Sequence, residues 1–242
     1  MEYKKVKDVF YFNDDCLNTL KEMVNRNKLV DLILVDPPYG INHHSNRRKD
    51  KSDLTTRAGI MNDENNHQLL SEVLDLTNQV LKVDSHIYWF TKWSSLDEHL
   101  PLLKEFFSVK NVLIWDKGNR GSGDLTGSYG NKYECIIYGM KGRRNLNTIK
   151  GVSRHDDILS FSKVSHSKLV HPHQKPLDLL EFLIQKSTNL GEVVLDMFAG
   201  VGSTLEACLN TGRAGIGIEL DTHFYNIGCQ RLDKYEQGGG EG

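Results

Sequence analysis

Short apolar runs alternate along this chain with longer segments of helical period, and that alternation leaves few architectures open. Val9 to Asn13, Leu32 to Val35, His86 to Thr91, Val112 to Trp115, Glu134 to Tyr138, Val193 to Asp196 and Gly215 to Glu219 have the length and composition of strands. Asp15 to Arg26, Asn65 to Leu81, Ser94 to Phe107, Leu177 to Asn189, Ser203 to Thr211 and Asp221 to Tyr235 read as helices; the first puts Leu17, Leu20, Met23 and Val24 on one face. Such an order builds an open, mainly parallel sheet with helices on both faces. Val112–Trp115 and Glu134–Tyr138 are joined by the Gly-rich loop 118–130 rather than by a helix, so they are expected to be antiparallel neighbours. Ser94 is expected to cap its helix with Asp97 three residues on, and Pro101 to disturb the helix middle.

At 242 residues the chain suits a single domain with a modest insertion. Lys plus Arg (30) nearly balance Asp plus Glu (32), so the net charge of -2 gives no global sign of a polyanion partner, and any nucleic-acid face must come from local clustering. Cys16, Cys135, Cys208 and Cys229 are far apart and form no C-x-x-C pair, which argues for reduced, packed thiols and against a zinc ribbon. No apolar run approaches the roughly 20 residues of a membrane span, and Met1 to Asp8 lacks the apolar core of a signal peptide. The expectation is a cytoplasmic protein that needs no metal, with a disordered Gly-rich tail over 237–242. Residues 43–62 and 141–171 are long for ordinary connections and fit a functional loop, a small subdomain or a disordered stretch.

Asp36-Pro37-Pro38-Tyr39 follows Leu32 to Val35 and so belongs just beyond the carboxyl end of a strand, where open parallel sheets bind ligands. Read blandly, the two prolines simply end the strand. Their chemistry suggests more. The exocyclic amine of adenine or cytosine is a poor nucleophile, because its lone pair is delocalised into the ring. A carboxylate is purely an acceptor, and the carbonyl of a rigid Pro-Pro turn is a second acceptor of fixed direction. Asp36 and the Pro37 carbonyl can thus take both amine hydrogens and aim the nitrogen lone pair at an electrophilic methyl. Tyr39 would stack on a base swung out of the helix.

Asp196-Met197-Phe198-Ala199-Gly200-Val201-Gly202-Ser203-Thr204 runs from a strand into a helix, and its glycines let the backbone approach a ligand. A lone G-x-G also fits a mere tight turn. One strand later Gly215 to Glu219 ends in an acid, which can accept both ribose hydroxyls of a nucleoside cofactor or serve only as a helix-start acid. The full G-x-G-x-x-G spacing is absent, so a pyrophosphate cradle, and with it a nicotinamide-dependent oxidoreductase, is disfavoured.

With Asp36 to Tyr39 preceding Phe198 to Gly202, the chain resembles the permuted beta class of DNA amino-methyltransferases, from about Phe10 to Gln230. The resemblance implies a class I, Rossmann-like α/β fold with a seven-stranded, mostly parallel sheet, its last strand antiparallel and its motif order circularly permuted. Val9–Asn13 should then lie beside Gly215–Glu219. It implies adenine-N6 methylation of DNA from S-adenosylmethionine, with cytosine-N4 methylation and an inactive DNA-binding module as alternatives. Asp36, Pro37, Pro38 and Tyr39 are the implied catalytic motif. Asn13-Asp14-Asp15-Cys16-Leu17 resembles the family's G-D-x-L element, whose acid contacts the cofactor adenine; Asp15 aligns with that acid, Cys16 follows it, and Asp14 replaces the usual glycine. His173-Gln174-Lys175-Pro176 resembles the Q-K-P element, which closes over the methionine end. Asp15, Cys16, Lys175, Asp196, Phe198, Gly200, Gly202, Ser203, Thr204 and Glu219 are accordingly the expected cofactor residues. Arg47, Arg48, Lys51 and Arg57 in a DNA-contact loop, and Arg143, Arg144 and Arg154 in a small target-recognition insertion, are the expected DNA contacts; a solvated charged loop is the plain alternative for the first group. Double-stranded DNA is the implied partner, with a homodimer and a cognate restriction endonuclease left open.

Overall fold

The apolar runs pair into one sheet in the computed structural model, which describes residues 2–37, 63–118, 126–127, 129–149, 156–163 and 174–236, with 63–66 described for backbone alone. Among the described residues the strands are β1 (Glu2–Val6), β2 (Val9–Asn13), β3 (Val30–Val35), β4 (Leu81–Thr91), β5 (Ser108–Asp116), β6 (Tyr133–Lys141), β7 (Ile158–Ser160), β8 (Val193–Asp196) and β9 (Ala214–Glu219), in the spatial order β1-β2-β9-β8-β3-β4-β6-β5-β7. From β2 to β4 all neighbours are parallel, whereas β6 is antiparallel to both β4 and β5. The two ends of the sequence meet one strand in from the β1 edge of this order, Val9 opposite Gly215 through Asn13 opposite Glu219, as expected.

Every residue of β3 is buried, and successive side chains leave the sheet on opposite faces. Leu32 and Leu34 join the core formed with α4 (Leu177–Ser187), α5 (Ser203–Thr211) and α6 (Thr222–Asp233). Ile33 and Val35 join the one formed with α1 (Cys16–Asn25), α2 (Asp63–Val80) and α3 (Leu96–Phe106). Asp31 at the foot of this strand is 5% exposed, a position a lone carboxylate would not tolerate. It accepts from Lys82 Nζ at 2.7 Å and from the Val193 N–H at 3.0 Å, which ties β3 to the starts of β4 and β8.

Three differences from the sequence expectations have simple causes. Seven strands were expected, and β1 and β7 add one at each edge. Only Val6 of β1 and Leu159 of β7 are buried, so neither segment has an apolar pattern to announce it. β7 pairs in parallel with β5, which makes part of the expected insertion an extension of the main sheet. The helix expected from Ser94 starts at Leu96 after a 3-10 turn over Trp93–Ser95, and Ser95 makes no side-chain cap. α3 runs on through Pro101: the ring removes one hydrogen bond near the helix start, where the exposed Asp97 carbonyl can turn to water.

Candidate active site

All five parallel strands point their carboxyl ends to one edge of the sheet, so Asn13, Glu219, Asp196, Val35 and Thr91 end side by side. The segment between β8 and α5 turns sharply here. Gly200 and Gly202 adopt φ of +52° and +74°, the left-handed region where a side chain is strained, and a Cβ on Gly200 would meet nothing within 4 Å among the described residues. The backbone is thus bent back from an open space. Asp196 anchors the turn, accepting from Thr204 Oγ1 at 2.6 Å and from the Phe198 N–H at 3.1 Å. Burial pushes its carboxyl up to about 7, outweighing those two hydrogen bonds, and the nearby Asp36 and Glu219 carboxylates add to the rise.

Glu219 stands across that turn. Its Oε2 accepts the Gly200 N–H at 2.8 Å and its Oε1 the Asp221 N–H at 2.8 Å. Burial raises its carboxyl above the usual range, with both N–H groups opposing the shift. The Gly200 carbonyl is held from below by the hydroxyl of Tyr11, which reaches it from the middle of β2. Gly200 is therefore clamped at both its polar groups. Ser203 opens α5 directly after Gly202. At the end of β2, Asp15 caps α1 by accepting the Leu17 N–H at 2.8 Å, and the Asp14 N–H donates to the Glu219 carbonyl at 3.1 Å. Asp15, Cys16, Asp196, Phe198, Gly200, Gly202, Ser203, Thr204 and Glu219 are thus brought to one edge by β2, β8 and β9.

Asp36 follows β3 on the same edge, next to β8. Its Oδ2 lies 2.8 Å from Lys175 Nζ, and the same ammonium donates to Glu134 Oε2 at 2.9 Å. Glu134 Oε1 is in turn 3.3 Å from Lys117 Nζ. Lys175 Nζ also lies over the Phe90 ring, 5.0 Å from its centroid. Burial by itself would push the Lys175 ammonium down; Asp36 and Glu134 outweigh it and hold the pKa above the usual lysine range. Glu134 shows the mirror image, burial raising it and the two lysines bringing it below the usual range. Lys175 was expected beside the cofactor, and the structure puts its ammonium between two carboxylates. Glu134 was read only as part of a strand. An acid at the mouth of an apolar run was the signal for it, but the lysine it meets lies 41 residues away.

The other expected residues divide into two groups. Pro38, Tyr39, Arg47, Arg48, Lys51, Arg57 and Arg154 lie outside the described residues. Arg143 and Arg144 follow Lys141, which pairs with Ser85 near the start of β4, so they sit at the edge of the sheet opposite Asp36. Arg144 forms an ion pair with Glu192 at 2.6 Å, and its carbonyl is 3.1 Å from His86 Nε2. The strand order, not the sequence interval, decides this: β6 runs away from the site, and residues following it emerge at the far edge. Cys16 has its thiol pushed up to about 12 by burial and by Asp15, and burial likewise raises Cys135, Cys208 and Cys229, which leaves none activated as a nucleophile.

Comparison with known proteins agrees with this geometry. A family model for N6 and N4 methyltransferases, described as DNA methylase, matches residues 30–230. YubD of Escherichia coli (strain K12), which carries the name of a methylase, is 31% identical over 223 residues, covering 92% of this chain and 89% of YubD. YhdJ of the same organism, named a DNA adenine methyltransferase, is 28% identical over 260 residues, covering 90% of this chain and 81% of YhdJ. The crystal structure of the M1.HpyAVI–SAM complex superposes with a TM-score of 0.74 over 92% of this chain and 98% of that one, at 24% identity. That likeness is one of fold, the Rossmann-like α/β fold of class I S-adenosylmethionine-dependent methyltransferases.

Proposed function

Because the chain belongs to the DNA methylase family, we propose that it methylates the N6 amine of adenine in DNA, with S-adenosylmethionine as methyl donor. The observation that supports this most is the position of Asp36, directly after the strand next to β8, whose closing turn is hydrogen-bonded to Glu219 and leaves space over Gly200 among the described residues. The order of the two motifs along the chain, with β2 and β9 adjacent in the sheet, further supports the permuted beta class. The YhdJ name supports adenine over cytosine.

The cofactor half has the features such a donor needs: an open space over Gly200, an acid able to accept ribose hydroxyls, and a buried Asp196 fixing the turn. Glu219, Asp196 and the Phe198–Thr204 turn would hold the donor, with Asp15 and Cys16 at its adenine end. When bound, it supplies an electrophilic methyl group on a sulfonium. Asp36 accepts one hydrogen of the target amine and the Pro37 carbonyl the other. This withdraws the lone pair from conjugation and directs it outward from the ring. Tyr39 stacks on the flipped base. Rate comes from holding the nitrogen in line and from a carboxylate placed before the charge develops, with no covalent enzyme intermediate. Arg47, Arg48, Lys51 and Arg57, which follow Asp36 in the chain, are the proposed phosphate contacts.

Incubating the protein with DNA and methyl-labelled cofactor, followed by nucleoside analysis, tests the proposal. Label in N6-methyladenine is expected, and Asp36→Ala should lower the rate by roughly a hundredfold or more. Label confined to N4-methylcytosine would transfer the reading to the other amine, and an Asp36→Ala variant working at the wild-type rate would remove Asp36 from it.

A further inference from the structure

We infer that Lys175 is a positioning residue for methyl transfer that acts through Asp36, and that Glu134 holds it in place. The inference rests on the reading of Asp36 as the acceptor of the amine hydrogen. Three separate parts of the chain meet at one nitrogen: the turn after β3 brings Asp36, the start of β6 brings Glu134, and the segment entering α4 brings Lys175. An ammonium has three hydrogens on a flexible stem and would ordinarily wander. Here two of its directions are taken by carboxylate oxygens at 2.8 and 2.9 Å, and the Phe90 ring lies 5.0 Å away. Its side chain is 11% exposed, so water does little to loosen the arrangement.

A cation fixed at Oδ2 sets the plane of the Asp36 carboxylate, and with it the directions of the remaining lone pairs. The same cation keeps Asp36 and Glu134 from repelling each other, since both lie within hydrogen-bond distance of one nitrogen. Glu134 is itself held by Lys117, so the aim of Asp36 depends on a chain of alternating charges that reaches the start of β6 and the residue after β5. Lys175 in this role touches neither base nor donor. Its loss should therefore lower the rate constant while leaving cofactor affinity nearly intact.

The experiment measures kcat and the KM for S-adenosylmethionine for the full-length protein and for Lys175→Met, Lys175→Arg, Glu134→Gln, Asp36→Asn and the Asp36→Asn/Lys175→Met double variant. A misaimed group typically costs about a hundredfold, so Lys175→Met should lose about that in kcat, with KM changed less than about threefold. Lys175→Arg keeps the charge and should recover at least about tenfold of the loss, and Glu134→Gln should fall between it and Lys175→Met. In the Asp36→Asn background the methionine change should cost less than about threefold more, because the group it acts through is already altered. A raised KM with kcat preserved would place Lys175 on the cofactor instead and overturn the inference. Losses that simply multiply in the double variant would overturn it too. If Asp36→Asn and Asp36→Ala both worked at the wild-type rate, the reading of Asp36 itself would fail, a result distinct from either.

Discussion

Replacing Gly228 with alanine sets two effects of opposite sign against each other at a position far in sequence from the proposed chemistry. Gly228 lies inside α6, where an alanine is worth about 1 kcal/mol in helix propensity. A Cβ at this position, however, would stand 2.5 Å from Tyr11 Cε1 and 3.0 Å from both its Cζ and its hydroxyl. Tyr11 has little freedom to retreat: it is fully buried, its ring packs 4.8 Å from Tyr225, and its hydroxyl is bonded to the Gly200 carbonyl. Overpacking of this kind costs about 1–3 kcal/mol, and losing the hydrogen bond to Gly200 adds about 1 kcal/mol. The clash should win, leaving a net destabilisation of about 1–3 kcal/mol. Urea denaturation reads this as a lowered midpoint at unchanged slope, and calorimetry with S-adenosylmethionine should show weaker binding because the turn at Gly200 has lost its support from below. Tyr11→Leu in the same chain opens room for the new methyl, so the double variant should lose less than the two single losses together. A Gly228→Ala protein at or above wild-type stability would refute the packing argument, since only propensity would then be at work.

Glu219→Ala removes the acceptor for the Gly200 and Asp221 N–H groups as well as the proposed ribose contact, and should raise the KM for S-adenosylmethionine by about 10–100-fold with little change in kcat, as steady-state kinetics will show. Burial pushes the pKa of His99 down to about 4, with Asp97 opposing, so between about pH 6.5 and 4 the unfolded chain takes up a proton that the folded protein refuses. Stability present above pH 6.5 is therefore lost as pH falls, by up to about 3 kcal/mol, and denaturation curves of His99→Gln should lack this part of the pH dependence while keeping an acceptor for Trp89 Nε1 and Thr91. Glu206 is 3% exposed and pairs with Arg231 at 2.8 Å and with Lys234, so Glu206→Ala strands a partly buried cation between α5 and α6. A loss of about 3 kcal/mol in urea denaturation is expected, and a loss below about 1 kcal/mol would mean that water replaces the carboxylate.

The sequence by itself determined the central strands and the amphipathic helices, and the physical reason is burial. A strand covered on both faces, such as β3, must be apolar wherever no partner meets a polar group, as Lys82 and the Val193 N–H meet Asp31, and a helix covered on one face must repeat its apolar residues with helical period. It also determined which acids end those strands, because Asp36, Asp196 and Glu219 each follow an apolar run directly. Family resemblance added the adjacency of β2 and β9, which no local pattern carries. What only the tertiary structure decided were matters of partnership. β1 and β7 are strands because a neighbour offers free hydrogen-bonding groups, not because their own residues demand it. β6 turns back between β4 and β5, and so carries Arg143 and Arg144 to the edge away from Asp36. Lys175 reads in sequence as a cofactor residue of a Q-K-P element; its meeting with Asp36 and Glu134 depends on three segments being folded against one another. A side chain's own chemistry is legible in one dimension, but the charge it faces across a sheet is set by which strands lie side by side.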